Sequence, residues 1–258
     1  MNSLRFVLMK GKRMENKEQT LVFGRHATME SLKQGHGNKL FVQEDLKGEK
    51  IDRFLKEAKK QKVAVVRAPK HKLDQMTEKK NHQGLVLMVA PYAYTPFDGL
   101  IQTAKAQKDD PVFLVLDSIQ DPHNLGSMMR TADATGVDGI IIPKHRATGV
   151  TPVVAKTSTG AVEHVPVARV TNLVQAVKQL KEEGFWIFGT DMKGTDYRKW
   201  NSKGAVALVI GNEGDGISPL LKKEVDEMVT IPMIGHVQSL NASVAASLMM
   251  YEVFRGRY

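Results

Sequence analysis

The sequence predicts an α/β protein of two modules, a parallel sheet covered on both faces and a smaller α/β unit ahead of it. Two observations lead there. From Pro111 onward, short apolar β-type runs alternate with helix-period segments, the pattern of strands buried under helices on both sides. Charge is also unevenly divided: residues 1–91 carry 20 Lys+Arg against 10 Asp+Glu, while residues 92–258 carry 17 against 18. At 258 residues the chain is long enough for one large or two modest domains.

In chain order, residues 1–20 read as a flexible extension, and Met14 offers a second possible start. The first module spans 21–91. A helical pattern from Ala27 to Lys33 follows the turn Gly24-Arg25-His26, then a strand Leu40 to Gln43 and a helix Glu49 to Gln61. A strand Val63 to Arg67, a short helix Lys70 to Met76 and a strand Leu85 to Ala90 complete it. Pro91, Pro96, Gly99 and a charged tail make residues 92–110 read as a linker. The second module, 111–258, has strands expected at Val112 to Asp117, Gly139 to Ile142, Glu163 to Val167, Phe185 to Thr190, Ala205 to Ile210 and Met228 to Pro232. Helices fill the gaps, with Gly136, Gly184 and Gly256 as their C-terminal stops.

The sequence contains no cysteine, so disulfides, thiolate metal sites and a cysteine nucleophile are excluded. The apolar stretch Phe6 to Met9 is too short for a signal-peptide core and no run approaches a membrane span, so the expected location is the cytoplasm. The basic N-terminal module, net +10 against −1 for the rest, fits a polyanion-binding unit joined to a near-neutral chemical one. A solvated basic face is the plainer reading. Arg25, His26, Lys70 and Lys72 are the candidates for contact with such a polyanion.

Three segments carry the chemistry. Each follows an apolar run and opens into a helix pattern, so all can converge at one edge of a parallel sheet. In Asn124 to Arg130 (NLGSMMR), Asn124 is placed to cap or just precede a helix, and Arg130 should lean back over Gly126. Glycine costs roughly 1 kcal/mol there relative to alanine, which clearance for Arg130 or a substrate sugar would explain. A surface ion pair of Arg130 with Asp121 or Asp133 is the alternative. Gly211 to Ser218 (GNEGDGIS) lacks the Walker ending and the dinucleotide glycine spacing. Its glycines permit close backbone approach to a flat ligand, and a buried Glu213 would need a cation, for which Arg130 is the candidate. Ile231 to Ser243 (IPMIGHVQSLNAS) runs into Ala242 to Ser247, almost wholly small residues that suit close approach by a second chain or a threaded loop. Ser239 and Asn241 could equally be ordinary helix caps. His145, His164 and His236 have no ligand-like spacing, so no metal is expected.

Together the three segments resemble motifs 1, 2 and 3 of the SpoU (TrmH) family of RNA ribose 2'-O-methyltransferases. The resemblance covers residues 111–258, and 21–91 is similar to the L30e-like substrate-binding extension of the family's RlmB-type branch, which methylates a guanosine in large-subunit ribosomal RNA. It implies a SPOUT fold with a C-terminal trefoil knot, S-adenosylmethionine held bent by the knot loops, and a homodimer whose site uses both chains. It also implies that Gly211, Ile231 and Leu240 bind the cofactor with Thr190 and Gly214 nearby, and that Asn124, Arg130, Glu213, Ser239 and Asn241 are catalytic or substrate-positioning. The third motif reads SLNAS where SLNVS is commoner in the family, a small change of volume. An arginine loses its proton only above about pH 12, so Arg130 is better suited to stabilise an oxyanion than to act as base, although deprotonation in a closed site stays open. A transfer RNA methyltransferase and a non-catalytic RNA-binding protein on the same fold are the rival readings.

Overall fold

A computed structural model describes residues 20–33, 35, 37–89, 92–236 and 239–258. The chain divides into two compact units, Met1–Pro91 and Tyr92–Tyr258. Apart from Thr20, the expected N-terminal extension and the two candidate start sites lie outside the described residues.

The first unit is a four-stranded sheet, β1 (Thr20–Phe23), β2 (Gly37–Gln43), β3 (Ala64–Ala68) and β4 (Leu85–Val89), in the order β1-β4-β2-β3. It carries helices α1 (Arg25–Lys33), α2 (Glu49–Lys60) and α3 (Lys70–Met76). Ile51, Phe54 and Ala58 form the buried stripe of α2, with Glu49 and Asp52 at its start and Lys59 and Lys60 at its end, as the helix dipole favours. Two expectations change. Thr20 begins a strand instead of ending an extension, because β1 pairs antiparallel with β4 in a four-residue run too short to show periodicity. The turn assigned to Arg25 and His26 is the first turn of α1.

In the second unit all six strands are parallel: β5 (Val112–Leu116), β6 (Gly139–Pro143), β7 (Val167–Val170), β8 (Trp186–Asp196), β9 (Val206–Ile210) and β10 (Glu227–Thr230). Their order is β10-β8-β9-β5-β6-β7. The stretch expected to be a linker contains α4 (Phe97–Gln107), whose Leu100, Ile101 and Ala104 are buried, so residues 92–110 belong to this unit. Prolines and charges flanking an 11-residue amphipathic helix had masked its period. The strand expected at Glu163 to Val167 is instead a 3-10 turn, Ala161–Glu163, followed by β7.

The remaining helices are α5 (Pro122–Ala134), α6 (Pro152–Thr157), α7 (Leu173–Glu182), α8 (Pro219–Lys222) and α9 (Ala242–Arg255). Alternation along β5 sorts them onto two faces. Leu114 and Leu116 pack with Leu125, Met128 and Met129 of α5 and Ala246 and Met249 of α9. Phe113 and Val115 pack with Leu100 of α4, Val177 and Leu180 of α7 and Leu221 of α8. Helix α7 is cut from sequence plainly: the Asn172 side chain accepts from the Val174 and Gln175 amides, and the left-handed Gly184 (φ 88°) follows it. Gly136 has the same left-handed form (φ 69°), whereas Gly256 caps α9 in the right-handed region.

Candidate active site

Strands β5 and β9 are neighbours, but their chains depart in opposite directions, β5 toward β6 and β9 toward β10 beyond β8. Such a switch point opens a crevice at the carboxyl ends of the strands. The loops after β5 and β9 meet there. Asp117 continues the pairing through its amide to Ile210 O at 2.9 Å, and its buried carboxylate accepts from the Ser218 amide at 2.8 Å. Ser118 takes a left-handed turn (φ 61°), and its carbonyl accepts from Asn212 Nδ2 at 3.1 Å. The glycine loop therefore hangs from the end of β5.

That loop closes on itself. Asn212 and Gly216 exchange both backbone hydrogen bonds, at 3.1 and 2.9 Å, and Asn212 Oδ1 accepts from the Gly214 amide at 2.8 Å. A Cβ on Gly211 would stand 2.1 Å from the Gly216 carbonyl carbon, so no side chain fits there. Glu213 is held exposed at the tip, so the cation that a buried Glu213 would need is not required there.

One hydrogen-bonded chain joins the three motifs. Asn241 caps α9, its Oδ1 accepting from the Ser243 amide at 2.9 Å, and its Nδ2 donates to Asn124 Oδ1 at 3.0 Å. Asn124 Nδ2 in turn donates to Glu213 Oε1. Each amide is thereby oriented from its neighbours, and the chain runs from the positive helix end to the carboxylate. Asn124 is not the cap of α5; Asp121 is, accepting from the His123 amide at 2.8 Å, and Asn124 lies buried in the first turn.

Arg130 stands apart. It is exposed and forms no ion pair among the described residues, so neither Glu213 nor Asp121 nor Asp133 holds it. Six residues past Asn124 place it roughly 9 Å along the helix and about 120° around it. Nor does Gly126 make room for Arg130: a Cβ there would meet Thr157 Cβ at 2.6 Å and Val154 O at 3.0 Å, so the glycine admits helix α6.

Beside the chain lies a cavity of about 290 Å³ between the ends of β8, β9 and β10. It is lined by all five expected cofactor residues, Thr190, Gly211, Gly214, Ile231 and Leu240, and by Glu213 and Ser239. Sequence reasoning missed Asp191, Lys222, Met233 and Ala245, which also line it. Lys222 Nζ donates to Asp191 Oδ2, and this bond, opposed by burial, holds the carboxyl below its ordinary range. Nothing in the sequence announces a pair 31 residues apart. Among the described residues no His, Cys, Asp and Glu form a group suited to a metal, and His145, His164 and His236 are exposed.

In the first unit, Arg25 and Lys70 line a cavity of about 440 Å³ together with Lys79, Lys80 and His82. His26 and Lys72 do not line it; Lys72 Nζ lies 5.9 Å over the Phe41 ring. The cavity wall at 78–84 is strained, with Glu78, Lys79 and Gln83 all left-handed (φ 52°, 61° and 51°). His82 braces it: Nδ1 accepts from the Gly84 amide at 2.9 Å, leaving Nε2 to donate to Asp74 Oδ1 at 2.9 Å.

The geometry has counterparts. A model of the SpoU rRNA Methylase family matches residues 111–251, and a model for RNA 2'-O ribose methyltransferase substrate binding matches residues 21–95. The chain belongs to the SpoU (TrmH) methyltransferase family. A Staphylococcus aureus protein whose name places it among TrmH family tRNA/rRNA methyltransferases is 51% identical over 243 residues, covering 93% of this chain and 98% of that one. The S. haemolyticus relative of the same name is 49% identical, with 93% and 97% covered. Among solved structures, the SpoU methyltransferase AviRb of Streptomyces viridochromogenes with AdoMet superimposes at TM-score 0.65, 25% identical, over 93% of this chain and 90% of that one. An AdoMet-bound rRNA methyltransferase of Sinorhizobium meliloti shares the fold at TM-score 0.62 and 24% identity, over 93% and 88%. In this SpoU chain the matched family segments contain every motif residue of the site.

Proposed function

We propose that this SpoU-family protein is a cytoplasmic S-adenosylmethionine-dependent methyltransferase that modifies the ribose 2'-oxygen of a guanosine in ribosomal RNA. The observation that carries the reading is the hydrogen-bonded chain Asn241–Asn124–Glu213, which locks three separate loops into one wall beside a glycine-walled cavity.

The cavity residues fit the cofactor. Gly211 and Gly214 bring bare backbone to a flat surface, Ile231 and Leu240 add apolar walls, and Glu213 adds negative charge for a sulfonium centre. S-adenosylmethionine supplies an electrophilic methyl group. Thr190, Gly211, Gly214, Ile231 and Leu240 would hold it largely through backbone groups. Asn124, Ser239 and Asn241 would set the position of the RNA ribose against that pocket, since in-line attack depends on alignment. Arg130, a permanent cation, would sit by the 2'-oxygen and stabilise its developing negative charge while the proton leaves to water or phosphate.

Arg130 lies apart from the Glu213 chain of its own protomer. We infer that the working form is a homodimer in which Arg130 completes the site formed with a second copy. Exposed Val244, Leu248 and Tyr251 on α9, next to the Thr131–Ser247 contact with α5, support that arrangement. The loops after β9 and β10 are our candidates for the knotted segment. In the first unit, the strained basic cavity with Arg25 and Lys70 is the proposed RNA contact, whereas His26 and Lys72 are weaker candidates outside it.

The deciding experiment maps 2'-O-methyl sites in total RNA from cells with and without the gene. Loss of one ribosomal guanosine site is expected. Loss confined to transfer RNA would move the substrate, and no lost site with no methylation in vitro would favour a non-catalytic RNA-binding role.

A further inference from the structure

Resting on the RNA methyltransferase reading, we propose that the loop between β6 and α6 is a phosphate grip on the catalytic unit. Lys144, His145 and Arg146 hold the RNA backbone that flanks the target ribose. These three side chains are exposed at the carboxyl end of β6, the same sheet edge as the Asn124 and Glu213 loops.

The loop is built, not merely basic. The Lys144 amide donates to Val170 O at 2.8 Å, and Arg169 Nη2 donates to Lys144 O at 2.9 Å. Further on, the Thr148 amide donates to Ile119 O at 2.8 Å, tying the loop to the segment that leads into α5 and Asn124. The Val150 amide donates to the Tyr94 hydroxyl at 2.9 Å, and the Tyr94 ring lies 5.5 Å from the Arg169 guanidinium. Between these anchors Arg146 is left-handed at φ 61°, an uncommon backbone conformation for arginine. The loop thus projects two cations and a histidine from a fixed frame that connects directly to the site.

Several basic side chains of the unit are committed to carboxylates, Lys105 to Glu183 at 2.7 Å, Lys108 to Asp138 at 2.8 Å and Lys181 to Asp226 at 2.7 Å, whereas Arg130, Lys193, Lys199, Lys203 and Lys223 form no ion pair among the described residues. Lys144 and Arg146 form no ion pair among the described residues. Lys144 and Arg146, with His145 between them, project from a fixed loop on the site's edge in a unit whose net charge is −1. Its chemistry suits phosphate: the arginine fork can take two oxygens and the lysine a point charge, and such contacts position a strand without reading its sequence.

The test uses the full-length protein carrying Lys144→Gln and Arg146→Asn, asparagine being a residue that tolerates the left-handed backbone. A control carries Lys105→Gln and Lys203→Gln, the same charge change near the amino ends of the strands. The probe is transcribed, unmodified large-subunit ribosomal RNA. The loop variant should bind it about tenfold more weakly at about 0.15 M salt, with a salt slope shallower by about 1.4 for two phosphates. Its S-adenosylmethionine affinity and kcat should stay near wild type while KM for RNA rises. An unchanged slope and affinity, or an equal loss in the control, would overturn the grip. Equal weakening toward poly-glutamate would overturn it as an RNA site. A wild-type protein that neither binds nor methylates RNA would instead remove the function itself, and the grip with it.

Discussion

Arg130 and Asn124 sit on one helix, α5, in different surroundings. Asn124 is fixed by two hydrogen bonds that cross from motif to motif, and its placement in the buried first turn of α5 follows from Asp121 taking the cap. Arg130 is exposed and forms no ion pair among the described residues. If it stabilises the oxyanion, Arg130→Ala should cut single-turnover methylation by about a hundredfold, the scale for losing one charge-stabilising donor, with S-adenosylmethionine affinity nearly unchanged. Arg130→Lys should recover part of the rate, because a point charge lacks the guanidinium fork; an unaltered rate in the alanine variant rules out the role. Asp191 gives a pH signature at the cavity rim. Its folded pKa is depressed by the Lys222 hydrogen bond, so its stabilisation is complete above the ordinary carboxylate value of about 3.9 and fades as pH falls through the lower folded value. Asp191→Asn should therefore melt below wild type at neutral pH, and the two melting curves should converge in acid. A gap that persists at acid pH would mean that the charge of Asp191 is not what stabilises the rim.

Helix α9 was read in its place, and the structure decides what its small face meets. Those residues were expected to meet a second chain or a threaded loop of their own chain, and Ala242 and Ala246 are buried in the protomer's own core against α5 and the sheet. Ala246→Trp would overpack that core and test stability, not association. The outward stripe is Val244, Leu248 and Tyr251, with 47%, 36% and 52% of their surfaces exposed. Leu248→Glu should accordingly give a folded monomer with strongly reduced methylation, read by light scattering and circular dichroism. A dimer of unchanged mass would place the interface on another surface. The stretch 92–110 carries a related lesson. Its one proline, Pro96, stands at the N-cap of α4 and marks no linker, because a proline before a helix is as compatible with a helix start as with a break.

Across the whole molecule, charge and chemistry are divided between two units. Residues 1–91 hold the basic excess and the strained cavity of Arg25, Lys70, Lys79 and Lys80, while residues 92–258 hold the glycine-walled cavity proposed for the cofactor. Residues 92–258 should fold alone, since their sheet and both flanking cores are complete within them. That fragment should bind S-adenosylmethionine like the full chain, lose most RNA affinity, and show a shallower dependence on salt. Equal RNA binding by fragment and full chain would remove the argument from charge asymmetry. Among the described residues no helix is long and apolar enough to cross a membrane.

The sequence by itself determined the parallel α/β class, most of the strands from β5 to β10, and the three loops that converge. Apolar runs, glycines and caps act over a few residues, so their consequences are written locally. The five expected cofactor residues, Gly211, Gly214, Ile231, Leu240 and Thr190, came from the family resemblance of the motifs, and all five line the one cavity beside the hydrogen-bonded chain. Tertiary structure decided the rest. Which partner Glu213 takes, which face α9 turns outward, why Gly126 must be glycine and how Asp191 finds Lys222 all depend on contacts between elements distant in the chain. Those contacts are set by the order in which strands lie side by side, and no local periodicity encodes that order.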